Sequence, residues 1–268
     1  MSRHSTMAKE CSGEGYKSHF KPREYFRSNL RGLQRPQEGN YLPWALKMLH
    51  QVFSHSGLHG QRLLDVGSGP SIYQILSAGE AFDDIYLSDF IELNRNELRL
   101  WLDNSPEALN WSPIIQYVCD LEANGDTCES KSERLRKKVQ SVLPCDVNQD
   151  PPVCGIDLTF DCILTTLCLE CACMDIEKYH QAVARLAGLM KAGGHLIMVV
   201  VLDETFYQIG NQRFYCLTLS EATVREALMK AGLSITVFEK CSRSEFADAY
   251  ANFTAIVFVV AQKNPEKE

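Results

Sequence analysis

The stretch Leu63-Leu64-Asp65-Val66-Gly67-Ser68-Gly69-Pro70-Ser71 decides the reading of this chain. A short apolar run reaches an acid and then breaks into Gly-Ser-Gly ahead of a helical pattern. Glycines at such a bend let backbone N–H groups approach a ligand with no Cβ in the way. The next apolar run, Leu87-Ser88-Asp89, ends in an acid twenty residues after Gly69. A carboxylate there can accept both hydroxyls of a ribose. The two features together imply a nucleoside held at the carboxyl edge of a parallel sheet.

Details narrow the nucleoside. A dinucleotide fingerprint needs a third glycine where this chain has Ile72, and a phosphate-gripping P-loop needs a Lys that does not follow Gly69. Ser68 lacks the Gly-x-Ser-x-Gly frame of a hydrolase elbow. Asp65 and Asp89 bring negative charge instead, which suits the ammonium and sulfonium of S-adenosylmethionine.

Outward from this loop the apolar pattern alternates. Leu63–Val66, Ile85–Leu87, Ile114–Cys119, Cys162–Leu164 and Leu196–Leu202 read as strands. Helical stretches lie between them at Ile72–Ala78, Ile91–Leu102, Lys131–Leu143 and Ile176–Met190. Lys191–His195, with its paired glycines, reads as a helix stop. Lys21–Leu30 and Leu42–His55 read as helices ahead of the first strand. Gly210-Asn211 between Phe206–Ile209 and Arg213–Leu219 marks a hairpin. A helix, Glu221–Ala231, leads to closing strands at Ile235–Glu239 and Thr254–Ala261, and Asn124–Ser132 and Asn148–Gly155 read as surface loops. The expected fold is α/β and Rossmann-like: a seven-stranded mixed sheet with an antiparallel edge and an N-terminal helical cap. The whole of 1–268 reads as one domain, with a cap at 1–60, a cofactor-binding core at 61–202, and a substrate hairpin with closing strands at 203–268. Met1–Gly15 is expected to fray without ligand.

The 268 residues are 45% hydrophobic and 23% charged, which excludes disordered and low-complexity classes. The net charge of −7 makes a phosphate polymer a poor partner, so no nucleic acid is expected. No apolar run reaches the ~20 residues that span a membrane. The eleven cysteines follow no framework spacing and read as reduced thiols of a cytoplasmic protein. Cys168-x-x-Cys171-x-Cys173 has no second pair to complete a zinc site, so no metal is expected. Asp150-Pro151-Pro152-Val153 reads as a proline loop, since Val153 cannot stack a flipped base. The basic run Arg134–Lys138 reads as a solvated helix face.

Several motifs carry a family resemblance over nearly the whole chain. Tyr16-x-x-His19-Phe20-x-Pro22-Arg23-x-Tyr25, the 65–74 loop, Leu87-Ser88-Asp89-Phe90 followed by Asn94, and Asn110-Trp111-Ser112-Pro113 stand in order. Cys145-Asp146-Val147 and Leu169-Glu170-Cys171-Ala172-Cys173 follow. The chain resembles the small-molecule N-methyltransferases that act on nicotinamide, phenylethanolamine or indolethylamine. The resemblance implies a class I methyltransferase using S-adenosylmethionine on a small-molecule amine, as a monomer. It implies that Gly67, Ser68, Gly69 and Tyr73 hold the amino-acid end of that cofactor, with Tyr25 closing over it. It implies Asp89 at the ribose, Asn94 near the adenosine, Asp146 and Val147 at the adenine edge, and Thr166 at the end of the fourth strand. Asn29-Leu30 departs from the aromatic lid residues of the family.

Nicotinamide enzymes of the family carry Asp, Ser and Ser where this chain has Val200, Glu204 and Cys216. A carboxamide left unpaired beside a valine costs ~1–3 kcal/mol. Glu170 and Glu204 fall on the acidic positions by which phenylethanolamine enzymes grip the amine, so the resemblance implies an aralkylamine substrate. An alkylammonium must lose a proton before it attacks, so Glu204 is read as the anchor and Glu170 as the proton relay, with Tyr207 at the substrate in the family's frame. By themselves Tyr207 and Phe206 read as hairpin packing, and His19 as a structural cap residue. A pyridine or thioether acceptor, or cofactor binding without catalysis, are the alternatives.

Overall fold

A computed structural model describes residues 11–30, 41–243 and 251–264. The first ten residues of the expected frayed start lie outside them. Cys11 is tied to the later chain: its N–H donates to Arg213 O at 3.0 Å, and Tyr215 N–H donates to its carbonyl at 3.0 Å.

Two short helices, α1 (Glu14–His19) and α2 (Pro22–Asn29), form the cap. Helix α3 (Tyr41–His55) buries Leu42, Ala45, Leu46, Leu49 and Phe53 at the spacing of one helical stripe. The strands β1 (Gly60–Val66), β2 (Phe82–Asp89), β3 (Val139–Pro144), β4 (Phe160–Thr166) and β5 (Met190–Leu202) are parallel. With β8 (Leu233–Ser242) and β9 (Ala255–Lys263) they make one sheet in the order β3-β2-β1-β4-β5-β9-β8, in which β9 runs antiparallel to both neighbours. Strands β6 (Phe206–Ile209) and β7 (Gln212–Tyr215) form a separate hairpin turned at Gly210, whose φ is 56°.

Two apolar clusters lie on the two faces of the sheet, one around Leu63, Ile85 and Phe258 and the other around Leu64, Ile163 and Val257. Adjacent residues of each strand feed opposite clusters, which is why these strands read as continuous apolar runs. A third cluster of Phe20, Ile91, Ile209 and Phe214 joins the cap to the hairpin. Among the described residues no helix is long and apolar enough to cross a membrane.

Four element assignments differ from the sequence reading. Ile114–Cys119 lies in helix α6 (Ser112–Glu122), not a strand. Its buried residues Ile114, Ile115, Val118 and Cys119 fit one helical face, and Pro113 opens the first turn. Helix α7 (Cys128–Lys138) starts at a capping box between Thr127 and Ser130, earlier than Lys131, so the loop ends there too. It stops at Lys138, and Val139–Pro144 becomes the half-exposed edge strand β3, with no turn residue to announce the change. Ile72–Ala78 is a 3-10 turn at Tyr73–Ile75 leading to the short helix α4 (Ala78–Ala81). Helix α9 (Ile176–Gly188) ends before the paired glycines, and Gly193 (φ 74°) lies in an irregular stretch of β5 facing β4.

Helices α5 (Glu92–Leu102), α8 (Leu169–Ala172) and α10 (Glu221–Lys230) complete the framework. The basic run of α7 is less solvated than expected. Arg134 pairs with Glu80 and Asp126, and Arg136 packs over the Trp101 ring and donates to its carbonyl.

Candidate active site

Strand order reverses between β1 and β4, and ligands of such sheets bind outside the carboxyl ends at that point. A cavity of about 440 Å³ opens there. All the sequence-predicted site residues but Asp65 line it: Tyr25, Gly67, Ser68, Gly69, Tyr73 and Asp89 on the cap and beside the first two strand ends. Asn94, Asp146, Val147, Thr166, Glu170, Glu204 and Tyr207 complete the wall.

The glycine loop is held by its own backbone. Gly67 and Ser68 N–H both donate to Ser88 O at 2.9 Å, and Gly69 N–H donates to Asp89 Oδ2 at 2.8 Å. Gly67 has φ 73°, and a Cβ there would fall 2.1 Å from Cys168 Sγ. Asp89 Oδ1 accepts from Ile91 N–H at 2.8 Å and Asn94 Nδ2 at 3.0 Å. Burial raises the Asp89 pKa, and these donors oppose the rise. Asn94 Oδ1 is a buried acceptor with no partner among the described residues.

Asp65 departs from its expected place. It is fully buried beneath the loop and does not line the cavity. Its Oδ2 accepts from Gln74 Nε2 at 2.7 Å, and that amide also donates to the Ser68 and Ser71 carbonyls. Burial pushes Asp65 up to about 7. It therefore braces the loop from below, and the cavity's charge comes from other acids.

The loop after β3 folds back so that Asp146 N–H donates to Pro152 O at 2.8 Å, turning Asp146 and Val147 toward the cavity. Strands β4 and β5 each end in a non-glycine residue with positive φ, Leu167 at 53° and Asp203 at 58°. Such a conformation costs about 1–2 kcal/mol and turns the chain sharply. Glu204 follows Asp203 directly and Glu170 lies in helix α8 just beyond Leu167, both buried and both in the cavity wall. Glu170 Oε1 accepts from Val201 N–H at 3.1 Å, while Oε2 has no partner among the described residues. Burial pushes Glu170 up to about 7. Glu204 Oε2 accepts from the Cys216 thiol at 2.9 Å.

Val200 packs into the sheet's second apolar cluster, and its neighbour Val201 lines the cavity instead. Tyr207 both packs in the hairpin and lines the cavity. Its ring stacks on Phe214 at 5.3 Å, and its hydroxyl donates to Tyr16 OH at 3.1 Å over the cavity. Phe206 holds the Arg213 guanidinium at 4.0 Å and stays out of the cavity. Asn29 lines the cavity in place of the family's aromatic lid residue, and Leu30 is buried in the core. His19 is exposed, its Nδ1 beside Gly15 O at 2.9 Å, as a cap residue would be.

Sequence reasoning missed Tyr41, Cys171 and Phe253 as wall residues. A helix start, an apolar-looking thiol and a residue beyond a remote loop carry no local signal of a site.

The charge of the wall fits a cationic ligand. Asp89, Asp146, Glu170 and Glu204 line it, against Lys178 as the one cation among the described lining residues. The glycine cradle, the ribose-range carboxylate at Asp89 and the orphaned Asn94 acceptor fit an adenosyl group. A parallel sheet with this crevice and wall defines an S-adenosylmethionine-dependent methyltransferase. A profile of the NNMT/PNMT/TEMT family matches residues 8–264, and the chain belongs to that family.

Human nicotinamide N-methyltransferase is 41% identical over 254 residues, covering 94% of this chain and 96% of the relative. Rabbit (Oryctolagus cuniculus) indolethylamine N-methyltransferase is 40% identical over 255 residues, covering 94% and 97%. Pig (Sus scrofa) phenylethanolamine N-methyltransferase is 39% identical over 223 residues, covering 81% and 78%. Among solved structures, the N-methyltransferase NodS of Bradyrhizobium japonicum with S-adenosylhomocysteine superposes with TM-score 0.52 at 13% identity, covering 91% and 100%. That likeness speaks for the fold alone.

Proposed function

We propose that this chain transfers the methyl group of S-adenosylmethionine to the nitrogen of a small aralkylamine of the indolethylamine or phenylethanolamine type. The observation that carries the reading is the pairing of two buried carboxyls, Glu170 and Glu204, in one aromatic-walled cavity with the cofactor cradle. Relatives named for nicotinamide and for indolethylamine are equally similar, so identity does not choose between them. The wall supports the amine: it offers a cation two carboxyls, Glu170 and Glu204.

In this reading Gly67, Ser68, Gly69 and Tyr73 hold the amino-acid end of the cofactor, and Asp89 and Asn94 hold its ribose side. Asp146 and Val147 flank the adenine, Thr166 lines the cavity beside Tyr73 at the end of β4, and Tyr25 closes from the cap. The bound cofactor supplies an electrophilic methyl group. Catalysis by the chain is then mostly alignment of the nitrogen for in-line displacement. Tyr207 and Tyr16 exclude water from above. Glu204, fixed by Cys216, anchors the amine. An alkylammonium of pKa ~10.4 must lose a proton, at a cost of about 4–5 kcal/mol at neutral pH. Glu170 held near 7 narrows the gap to that ammonium by about 3 kcal/mol relative to an ordinary glutamate. Its unpartnered Oε2 takes the proton and passes it outward.

The free thiols suit a reducing cytoplasm, and the net charge of −7 suits a small-molecule partner better than nucleic acid. We propose a monomer, read as one methyltransferase domain. An assay with labelled methyl donor against tryptamine, phenylethanolamine and nicotinamide tests the reading. Methylation of either amine is expected, and transfer to nicotinamide alone overturns it. Glu170→Gln should lower the amine rate ~100-fold with cofactor affinity unchanged. Equal loss of both rejects the division of roles.

A further inference from the structure

The amine end of the cavity contains a thiol pair that the proposed reaction does not consume. Cys171 and Cys216 are 45 positions apart in the chain, yet their sulfurs stand 3.5 Å apart. Leu217 N–H donates to Glu170 O at 2.7 Å, so the peptide groups 170–171 and 216–217 face each other. The two cysteines are therefore opposed across a hydrogen-bonded backbone, the arrangement in which a bridge needs little backbone movement. Cys171 lines the cavity, whereas Cys216 is buried behind it with its thiol on Glu204 Oε2.

We propose that Cys171 and Cys216 are a redox modification site, closed to a disulfide by a small peroxide that enters the cavity, and that closure switches off the amine end while leaving the cofactor end intact. In the first step the Cys171 thiolate attacks a peroxide oxygen. An S–O bond forms, the O–O bond breaks, and hydrogen peroxide leaves one water. The Cys216 sulfur then attacks the Cys171 sulfenic acid. The S–S bond forms, the S–O bond breaks, and hydroxide leaves with the Cys216 proton as a second water. Each thiol gives up one electron and the peroxide takes two. Glu204 already accepts the Cys216 thiol hydrogen and is the natural carrier of that proton.

The order of attack follows from the surroundings. Its contact with Cys216 lowers the Cys171 pKa, but burial and the Glu170 and Glu204 charges outweigh it and hold that thiol above its ordinary range. Cys216 is raised well above its own, by its bond to Cys171 and by burial. Cys171 lines the cavity and Cys216 is buried behind it, so Cys171 meets the peroxide first. Oxidation is slow at neutral pH and accelerates as pH rises, since the thiolate is the nucleophile.

Closure to ~2.05 Å draws the sulfurs together by about 1.5 Å. Glu204 loses its thiol donor, and helix α8, which carries Glu170, is pinned to the irregular segment after β7. Only the activity readout rests on the amine reading; the cross-link can be detected without any substrate.

The experiment treats the full chain with hydrogen peroxide at about pH 7 and about pH 9, alkylates the remaining thiols, and maps peptides before and after reduction by dithiothreitol. The expected product joins the Cys171 peptide to the Cys216 peptide, forms faster at the higher pH, and is reversed by the reductant. Methyl transfer should fall roughly tenfold or more and recover on reduction, with S-adenosylhomocysteine affinity retained. Cys171→Ser and Cys216→Ser should each keep their own starting activity through the same exposure. Both thiols found alkylated in peroxide-inactivated protein would overturn the proposal. So would either serine variant losing activity as fast as the parent. If a variant does not fold, the peptide map of the parent decides alone.

Discussion

The two ends of the cavity are built by different means. The cofactor end is a backbone construction in which Gly67, Ser68 and Gly69 N–H groups are each fixed by β2 or its terminal Asp89. The amine end is made of side chains, drawn from the cap (Tyr16), the two strand-end turns (Glu170, Glu204), the hairpin (Tyr207) and the approach to β9 (Phe253). A backbone cradle accepts one ligand shape and tolerates almost no change. A side-chain wall can be retuned one residue at a time.

The harshest way to break the contrast is Gly67→Ala. The added methyl would meet Cys168 Sγ at 2.1 Å on a backbone with φ 73°, where the left-handed conformation alone costs about 1–2 kcal/mol. Methyl transfer to every acceptor should fall by more than ~100-fold and the melting temperature should drop. Adding Cys168→Ala should restore part of the loss by removing the overlap. A Gly67→Ala protein that binds S-adenosylhomocysteine like the parent would end the backbone-cradle account.

Asp89→Ala sharpens it. Three donors, Gly69 N–H, Ile91 N–H and Asn94 Nδ2, lose their acceptor. Cofactor affinity should weaken by ~10–100-fold, as hydrogen bonds to a charged group are worth ~1.5–3 kcal/mol each before water replaces part of them. The amine KM at saturating cofactor should hardly move. Isothermal titration with S-adenosylhomocysteine and amine kinetics separate the two outcomes.

The same contrast governs what could be read in the sequence. The cradle was legible because its residues are contiguous and each needs a particular chemistry: glycine for positive φ, an acid at the end of β2. The sheet was legible from its buried apolar runs, except where side chains gave a mixed signal. Ile114–Cys119 is β-branched yet helical, since Pro113 and the spacing of its buried face outweigh strand propensity. Val139–Pro144 is a strand with little burial to announce it. Asp65 misled for a related reason: its place next to the loop suggested the cavity, but strand alternation turns it below. The amine end was legible only through resemblance, because no local pattern says that Cys171 will meet Cys216 or that Tyr41 will reach the wall.

Asp65 and Glu170 allow the two ends to be compared within one protein. Both are buried, both are pushed up to about 7, and each keeps one oxygen without a partner among the described residues. Glu170 in the folded chain holds its proton up to about 7, against 4.5 ordinarily. The unfolded chain releases that proton first, so stability is highest below the ordinary value and is lost as pH rises through the folded one. The full effect is at most about 3 kcal/mol. Glu170→Gln removes it, and the ligand-free variant should melt above the parent at about pH 8 and level with it at about pH 4. Adding an amine should lower the Glu170 pKa and leave Asp65 where it is, as followed by carboxyl NMR. An equal shift in both would mean that the loop brace and the cavity are not separate electrostatically.

The smallest effect expected is at the roof. Tyr207 OH donates to Tyr16 OH at 3.1 Å, while its ring is held independently by stacking on Phe214. Tyr207→Phe therefore removes one hydrogen bond and keeps the packing. A neutral bond contributes about 0.5–1.5 kcal/mol, so the amine KM should rise by roughly 2- to 10-fold with kcat nearly unchanged. Tyr16→Phe removes the same bond from the other side, and the double variant should be no worse than either single one. Additive losses would show that each hydroxyl serves the amine directly, and the cap would then belong to the wall that selects the substrate and not merely to the roof that keeps water out.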